Sequence, residues 1–136
     1  MPRILGLNIV AVIVASIAFF LVGWLWYGIL FMEAYMEYMG ISPDEAGGSF
    51  DIWMAGGFLI TVMQVIGLGL VMKWKGDASL VAGVTTTVVL WFFLALPFTM
   101  YAYLYGPVHD STMMMIDASH LLVGWVASAV VLRLIK

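Results

Sequence analysis

Two ionisable residues interrupt an apolar stretch that runs from Asp110 to Arg133. They are Asp117 and His120, and a spacing of three residues puts both on one face of a helix. A carboxylate at the centre of a bilayer costs roughly 2.5–3.5 kcal/mol, so such a group is a functional candidate. The pair is either a structural tie that locks helix packing or a proton-responsive, ligand-contacting pair. The residue types alone leave both interpretations open.

Residues on two other apolar segments could form a pocket with this pair. Thr61 and Gln64 form a polar stripe at comparable depth, and Trp24 and Tyr27 lie near the end of the first segment. These side chains can supply hydrogen-bond donors to a buried carboxylate. The candidate ligand or polar-pocket residues are therefore Asp117, His120, Thr61, Gln64, Trp24 and Tyr27.

Several kinds of chemistry have little support in the chain. There is no cysteine, and no convergent set of metal ligands stands out, so no metal site is predicted. No catalytic residues are assigned, and the sequence leans away from an enzyme. No cofactor is predicted. Haem or a lipophilic pigment at His120 is a weak alternative, because the second axial ligand would have to be another residue type or come from another chain.

The composition and the charge spacing predict the fold. Of 136 residues, 65% are hydrophobic and 10% charged, and the mean hydropathy is +1.11. So few charged residues cannot cover a surface that faces water, so we expect much of the apolar surface to face lipid. We predict an all-α fold, a single integral membrane four-helix bundle over residues 1–136 with short loops and one longer external loop between helices 1 and 2. The predicted spans lie near residues 5–31, 52–72, 79–105 and 111–133.

The basic residues predict the orientation of these spans. All five fall on one side of a four-span chain, and they are Arg3, Lys73, Lys75, Arg133 and Lys136. The positive-inside rule places that side, and with it both termini, in the cytoplasm. There is no basic run of the kind that binds nucleic acid. The sequence predicts the lipid bilayer as a partner.

Small residues on three spans predict close helix packing. Gly124 and Ser128 form a small-xxx-small pair on the fourth span, a spacing that lets helices approach closely. Gly57 on the second span, with Ala11 and Ala15 on the first, would supply matching surfaces. We expect these five residues to lie at helix contacts.

Two segments resemble a known family. Gly23-Trp24-Leu25-Trp26-Tyr27-Gly28-Ile29-Leu30-Phe31 ends the first span, and Asp117-Ala118-Ser119-His120-Leu121-Leu122-Val123-Gly124 lies in the fourth. Both resemble segments of the small bacterial membrane proteins called domain of unknown function 1761. The resemblance implies a four-helix protein of the bacterial cytoplasmic (inner) membrane, and it implies no activity.

Two functional hypotheses follow. The first is an accessory or self-associating membrane subunit, either a homo-oligomer or part of a larger membrane complex, because the chain has small-residue stripes and no evident catalytic centre. The alternative is a protein that binds or transports a small molecule, either a lipophilic ligand or an ion. It would use an intramembrane polar pocket in the outer half of the bundle, around Asp117 and His120.

Overall fold

Four long apolar helical segments run back and forth in the computed structural model, which describes residues 1–45 and 51–136. The α-helices are α1 (Ile9–Leu25), α2 (Met32–Met39), α3 (Ile52–Lys75), α4 (Leu80–Leu90), α5 (Leu96–Tyr105) and α6 (Ser111–Leu134). One π-helical turn, Trp26–Leu30, follows α1, and a second one, Trp91–Ala95, joins α4 to α5.

The predicted four-span, all-α membrane fold is confirmed. The membrane-length segments are Ile9–Leu30, Ile52–Lys75, Leu80–Tyr105 and Ser111–Leu134, with 22 to 26 residues each. At about 1.5 Å per residue each reaches across a hydrocarbon core of about 30 Å. The chain is an integral membrane protein, because most of the side chains on these segments face outward and are apolar.

The first span begins later than the prediction near residue 5. Arg3–Ile4 (β1) pairs antiparallel with Leu7–Asn8 (β2), and α1 starts only at Ile9. The two residues between the strands, Leu5 and Gly6, both have positive φ, at 50° and 83°. That is the geometry of the tight two-residue turn that joins strands, and glycine adopts it without steric cost. Because of this turn, residues 3–8 form a hairpin and not the first turns of a helix.

Polar side chains define where the helices start. The residues that accept a hydrogen bond from a backbone amide of the first helical turn are Asn8, Asp51, Ser79 and Asp110. Such caps satisfy amides that have no partner within the helix, which matters most next to an apolar phase. Gly40 and Gly76 end α2 and α3 in the left-handed conformation.

Helix α6 lies at the centre, in contact with α1, α3, α4 and α5. Ala11 and Ala15 are buried on the side of α1 that faces the core, and Ser128 is buried on α6. Small side chains at these positions let the helices approach closely, and dispersion contacts then hold them together in lipid. The core cluster comprises Leu7, Ala11, Val12, Ala15, Phe19, Val65, Met72, Ala129 and Leu132.

The glycines at helix contacts are only partly the predicted ones. Gly124 lies directly against the ring of Phe19, and a Cβ there would overlap two ring carbons. Gly57 is different, because a Cβ at this position would meet nothing within 4 Å. Its predicted packing role is therefore wrong within this chain. Close approach on α3 occurs instead at Gly69, where a Cβ would lie 2.8 Å from a methyl carbon of Leu7.

Substitution of Gly124 by Ala should destabilise the bundle. The ring of Phe19 is 2% exposed and cannot move away freely, so the overlap should lower the free energy of unfolding by about 1–3 kcal/mol. Thermal unfolding in detergent measures this. Gly67→Ala is the matched control, because its Cβ would meet nothing within 4 Å. Equal midpoints for the two variants would show that Gly124 is not a packing site.

Candidate functional site: an intramembrane polar cluster

A π-helical turn at the end of α1 shapes the first half of the site. The amide of Phe31 donates to the carbonyl of Trp26, five residues back, over 2.8 Å. One residue more than in an α-helical turn is thereby enclosed. Trp26 and Tyr27, consecutive in sequence, both reach α6 from this wider turn.

A second π-helical turn faces the same stretch of α6 from the other side. Here the amide of Leu96 donates to the carbonyl of Trp91, again five residues back. Pro97 follows at once, and its missing amide proton and its ring disturb the regular α-helical pattern. Both turns therefore begin at a tryptophan and open the helix at a similar point relative to α6.

The two tryptophans bind neighbouring residues of α6. The indole nitrogen of Trp26 donates to the hydroxyl of Ser119 over 3.0 Å. The indole nitrogen of Trp91 donates to the carbonyl of Ala118 over 2.8 Å. The bond from Trp91 reaches a carbonyl already used inside the helix, so it adds a partner without removing one. These bonds hold α6 between the first and third spans.

Asp117 lies beside them and is tied to α1. The hydroxyl of Tyr27 donates to the Oδ1 atom of Asp117, so this carboxylate points to a donor on another span. Asp117 is half-buried. Within residues 1–45 and 51–136 the salt bridge present is Lys75 with Asp77, so no cation of the described chain pairs with Asp117.

Within the described part of the chain, His120 is held by aromatic rings and has no hydrogen bond from its side chain. Its imidazole lies between Phe19 and Tyr27, with centroid distances of 5.5 Å and 5.1 Å, and the Tyr27 contact is edge-on. Gly23 of α1 makes room for it, since a Cβ there would lie 3.1 Å from Nε2. Side-chain contacts therefore run from Asp117 to Tyr27 and from Tyr27 to His120.

A cavity of about 20 Å³ adjoins Asp117 on the side of the bundle that carries the acidic residues. Its lining includes Asp110, Tyr38, Thr99 and Tyr103, so polar groups lead from the helix cap at Asp110 to the carboxylate of Asp117. That volume holds about one water molecule. The cavity offers Asp117 contact with water and has no room for an organic ligand.

Three predicted pocket residues lie elsewhere. Thr61 donates back to the carbonyl of Gly57 in its own helix over 3.0 Å. Gln64 accepts from the indole nitrogen of Trp125 over 2.8 Å and so ties α3 to a deeper part of α6. Trp24 is 59% exposed and faces outward from the bundle. None of the three has a hydrogen bond to Asp117 or His120 among the described residues.

The sequence interpretation missed three residues of the cluster. Trp26 and Trp91 were not singled out as members of a polar cluster. Ser119 looked like one small polar residue among several. A signal was present in part, since residues that disturb a helix follow the two tryptophans, with Gly28 two positions after Trp26 and Pro97 six positions after Trp91. Within the described ranges, no group of three His, Asp or Glu side chains is placed to hold a metal ion.

The fold and this cluster define a small four-span membrane protein with a polar site inside the bundle. The model of a family described as Protein of unknown function (DUF1761) matches residues 10–133, nearly the whole chain. The chain belongs to that family, as its resemblance predicted. The curated proteins and the solved structures contain no match to it.

The bond between Tyr27 and Asp117 can be measured by a double-mutant cycle. Tyr27→Phe and Asp117→Asn, alone and combined, should show a coupling of about 1 kcal/mol in unfolding free energy, within the range measured for hydrogen bonds in membrane proteins. Tyr35→Phe is the control, because its ring lies 5.2 Å from that of Tyr27 and it makes no bond to Asp117. Equal coupling for Tyr35 and Tyr27 would contradict the assignment.

Proposed function

We propose that this protein is a proton-responsive membrane subunit in which protonation of Asp117 alters the contact between α1 and α6. The observation that carries the proposal is the bond from Tyr27 to Asp117 inside a span, next to a cavity the size of one water molecule. Ionisable groups inside membrane spans are functional candidates, and many of them belong to proton or ion pathways.

Protonation would change the hydrogen bonding of this carboxyl group. When ionised, Asp117 accepts only, and Tyr27 is its donor. When protonated, it becomes a donor as well, so it can donate to another acceptor. The hydrogen bond that it accepts from the tyrosine hydroxyl then becomes weaker. Because His120 packs edge-on against Tyr27, a shift of the tyrosine ring would also change the packing of His120. A local charge change would thus reach the packing of two helices.

The size of the cavity favours a proton over a larger ligand. The alternative of a lipophilic ligand bound beside Asp117 and His120 needs several hundred cubic ångströms. The cavity at Asp117 has about 20 Å³. The small volume supports water and a proton as the species exchanged there.

Infrared difference spectra between acidic and alkaline pH test the proposal in bilayers. The chain has eight Asp and Glu residues, so the wild type should show several C=O stretches of protonated carboxylic acids that appear and disappear with pH. One of these bands should belong to Asp117. Asp117→Asn should remove this band while the four-span fold persists. Tyr27→Phe should move the band, because the carboxyl group loses the tyrosine as a partner.

The matched control is Glu37→Gln, which removes an exposed acid of α2 and should leave the band in place. A set of bands that is unchanged in Asp117→Asn would refute proton uptake at this residue. A fold that is lost in Asp117→Asn while Tyr27→Phe shifts no band would leave Asp117 with a structural role, and the proposal would fail.

A second candidate function is self-association as an accessory subunit, alone or within a larger membrane complex. The first residues of α3 support it: Ile52 and Trp53 are 79% and 83% exposed, and Cβ atoms at Gly56 and Gly57 would meet nothing within 4 Å. Adjacent glycines on an open helix face allow another helix to approach closely. A second copy of this chain would cover the face with its own glycines.

The absence of cysteine allows a direct test. A single Gly56→Cys substitution should give a disulfide-linked dimer on mild oxidation in membranes. Tyr101→Cys is the control, since Tyr101 is exposed at a comparable distance from the same end. No dimer from Gly56→Cys, or equal dimer from both variants, would contradict self-association through α3.

We further propose that the protein resides in a bacterial cytoplasmic membrane with its termini in the cytoplasm. The five basic residues support this orientation under the positive-inside rule. The resemblance of two segments to small bacterial membrane proteins supports a bacterial origin. The outer side would then be the side with the polar cluster and its water-sized cavity.

A further inference from the structure

A second cavity, of about 490 Å³, lies at the opposite end of the bundle from Asp117. It is formed where four parts of the chain meet: the β1–β2 hairpin, the start of α1, the end of α3 with the turn that follows, and the end of α6. Its volume falls within the range of sites that hold small molecules. We call it the basic-end cavity.

Four of the five basic residues of the chain line this cavity: Arg3, Lys73, Arg133 and Lys136. The described contacts of three of them are to backbone oxygens and not to carboxylates. Arg3 donates to the carbonyl of Gly6 over 3.5 Å, and Lys73 donates to the carbonyl of Leu5 over 3.2 Å. Such bonds orient these side chains without neutralising them.

The hairpin turn determines where Lys73 lies. Gly6 has a φ of 83°, and a Cβ on it would overlap the amine of Lys73. A side chain at this position would displace that amine from its place beside the turn. The arrangement holds a cation at the mouth of the cavity, although α3 and the hairpin are distant in sequence.

The acidic residue in the lining, Asp77, does not cancel these charges. One of its oxygens accepts from Lys75 over 2.8 Å, and the other accepts from the hydroxyl of Thr86 over 2.6 Å. The bonds from Lys75 and then Thr86 hold the pKa of Asp77 below its ordinary value, so it stays ionised and paired with Lys75. The remaining four cations give the basic-end cavity a net positive charge.

Arg133 has an unused donor. One terminal nitrogen donates to the backbone oxygen of Asp77, but its buried Nε atom has no hydrogen-bond partner among the described residues. The Nε atom is itself shielded from the cavity, so the terminal nitrogens are the donors that Arg133 can offer an anion there. Guanidinium groups suit phosphate because they offer several donors in a plane.

The rest of the lining is apolar. Leu7, Met72 and Leu132 are all buried side chains that contribute to the cavity wall. The cavity sits at the ends of three membrane-length segments, where the apolar phase meets the headgroup region. A charged rim over an apolar wall matches a molecule with a phosphate group and a hydrocarbon part.

We infer that the basic-end cavity binds the phosphate group of an anionic membrane lipid. Arg3, Lys73 and Arg133 contact the phosphate, and the apolar wall contacts the first part of the acyl chains. Basic pockets between membrane helices recognise anionic headgroups in this way. The inference does not depend on the role of Asp117, which lies at the other end of the bundle.

The test measures thermal unfolding of the full chain in a neutral detergent during titration with short-chain phosphatidylglycerol. Parallel titrations use short-chain phosphatidylcholine and inorganic phosphate. Phosphatidylglycerol should raise the midpoint in a saturable manner, because a ligand that binds the folded state stabilises it. Phosphatidylcholine and inorganic phosphate should have at most a small effect at the same concentration. A shift with inorganic phosphate as large as that with phosphatidylglycerol would assign the site to a soluble phosphate and overturn the lipid proposal.

Variants locate the binding. Lys73→Gln and Arg3→Gln should each weaken the apparent affinity about fivefold, as expected for the loss of one cation near a lipid phosphate. Lys75→Gln made in an Asp77→Asn background removes the same charge from the same end, outside the cavity lining, and leaves no unpaired carboxylate in that lining. It should leave the affinity nearly unchanged relative to Asp77→Asn alone. Equal weakening in all three variants would show a diffuse surface effect, and an unsaturable response in the wild type would show that no site exists.

Discussion

A polar group inside a bilayer must find its partners within the protein, and this constraint organises the bundle around α6. Asp117, Ser119 and the carbonyl of Ala118 form a short polar stretch on the central helix of the bundle. Their partners come from the neighbouring spans as Tyr27, Trp26 and Trp91. Because water is not available in the hydrocarbon region, the positions of those donors determine how the spans can pack on α6.

The π-helical turns are the means by which the partners reach α6. A regular helix separates consecutive side chains by about 100°, so Trp26 and Tyr27 could not both face one neighbour. The wider turn relaxes that restriction at the cost of regular hydrogen bonding. Small residues then let the spans close below the cluster, with Phe19 against Gly124 and His120 against Gly23. Polar ties and tight packing therefore act on the same pair of helices, α1 and α6.

Much of the architecture was predictable because it depends on composition and charge spacing. The four spans and the all-α fold follow from uncharged stretches of membrane length, and the inward direction of Asp117 follows from the cost of a carboxylate in lipid. Other features depend on local backbone geometry that apolar residue types do not reveal. The hairpin at Leu5 and Gly6, both π-helical turns and the open position of Gly57 are of this kind. The basic-end cavity was also missed, since the basic residues had been interpreted for orientation alone.

The central claim is that Tyr27 of the first span holds Asp117 of the fourth span inside the membrane. Solid-state NMR of the protein in lipid bilayers, with carbon-13 in tyrosine and aspartate side chains, measures this contact directly. The account predicts a through-space cross-peak between the ring carbon that bears the Tyr27 hydroxyl and the carboxyl carbon of Asp117, absent in Asp117→Asn. A wild-type spectrum without that cross-peak, while the four spans remain helical, would contradict the account.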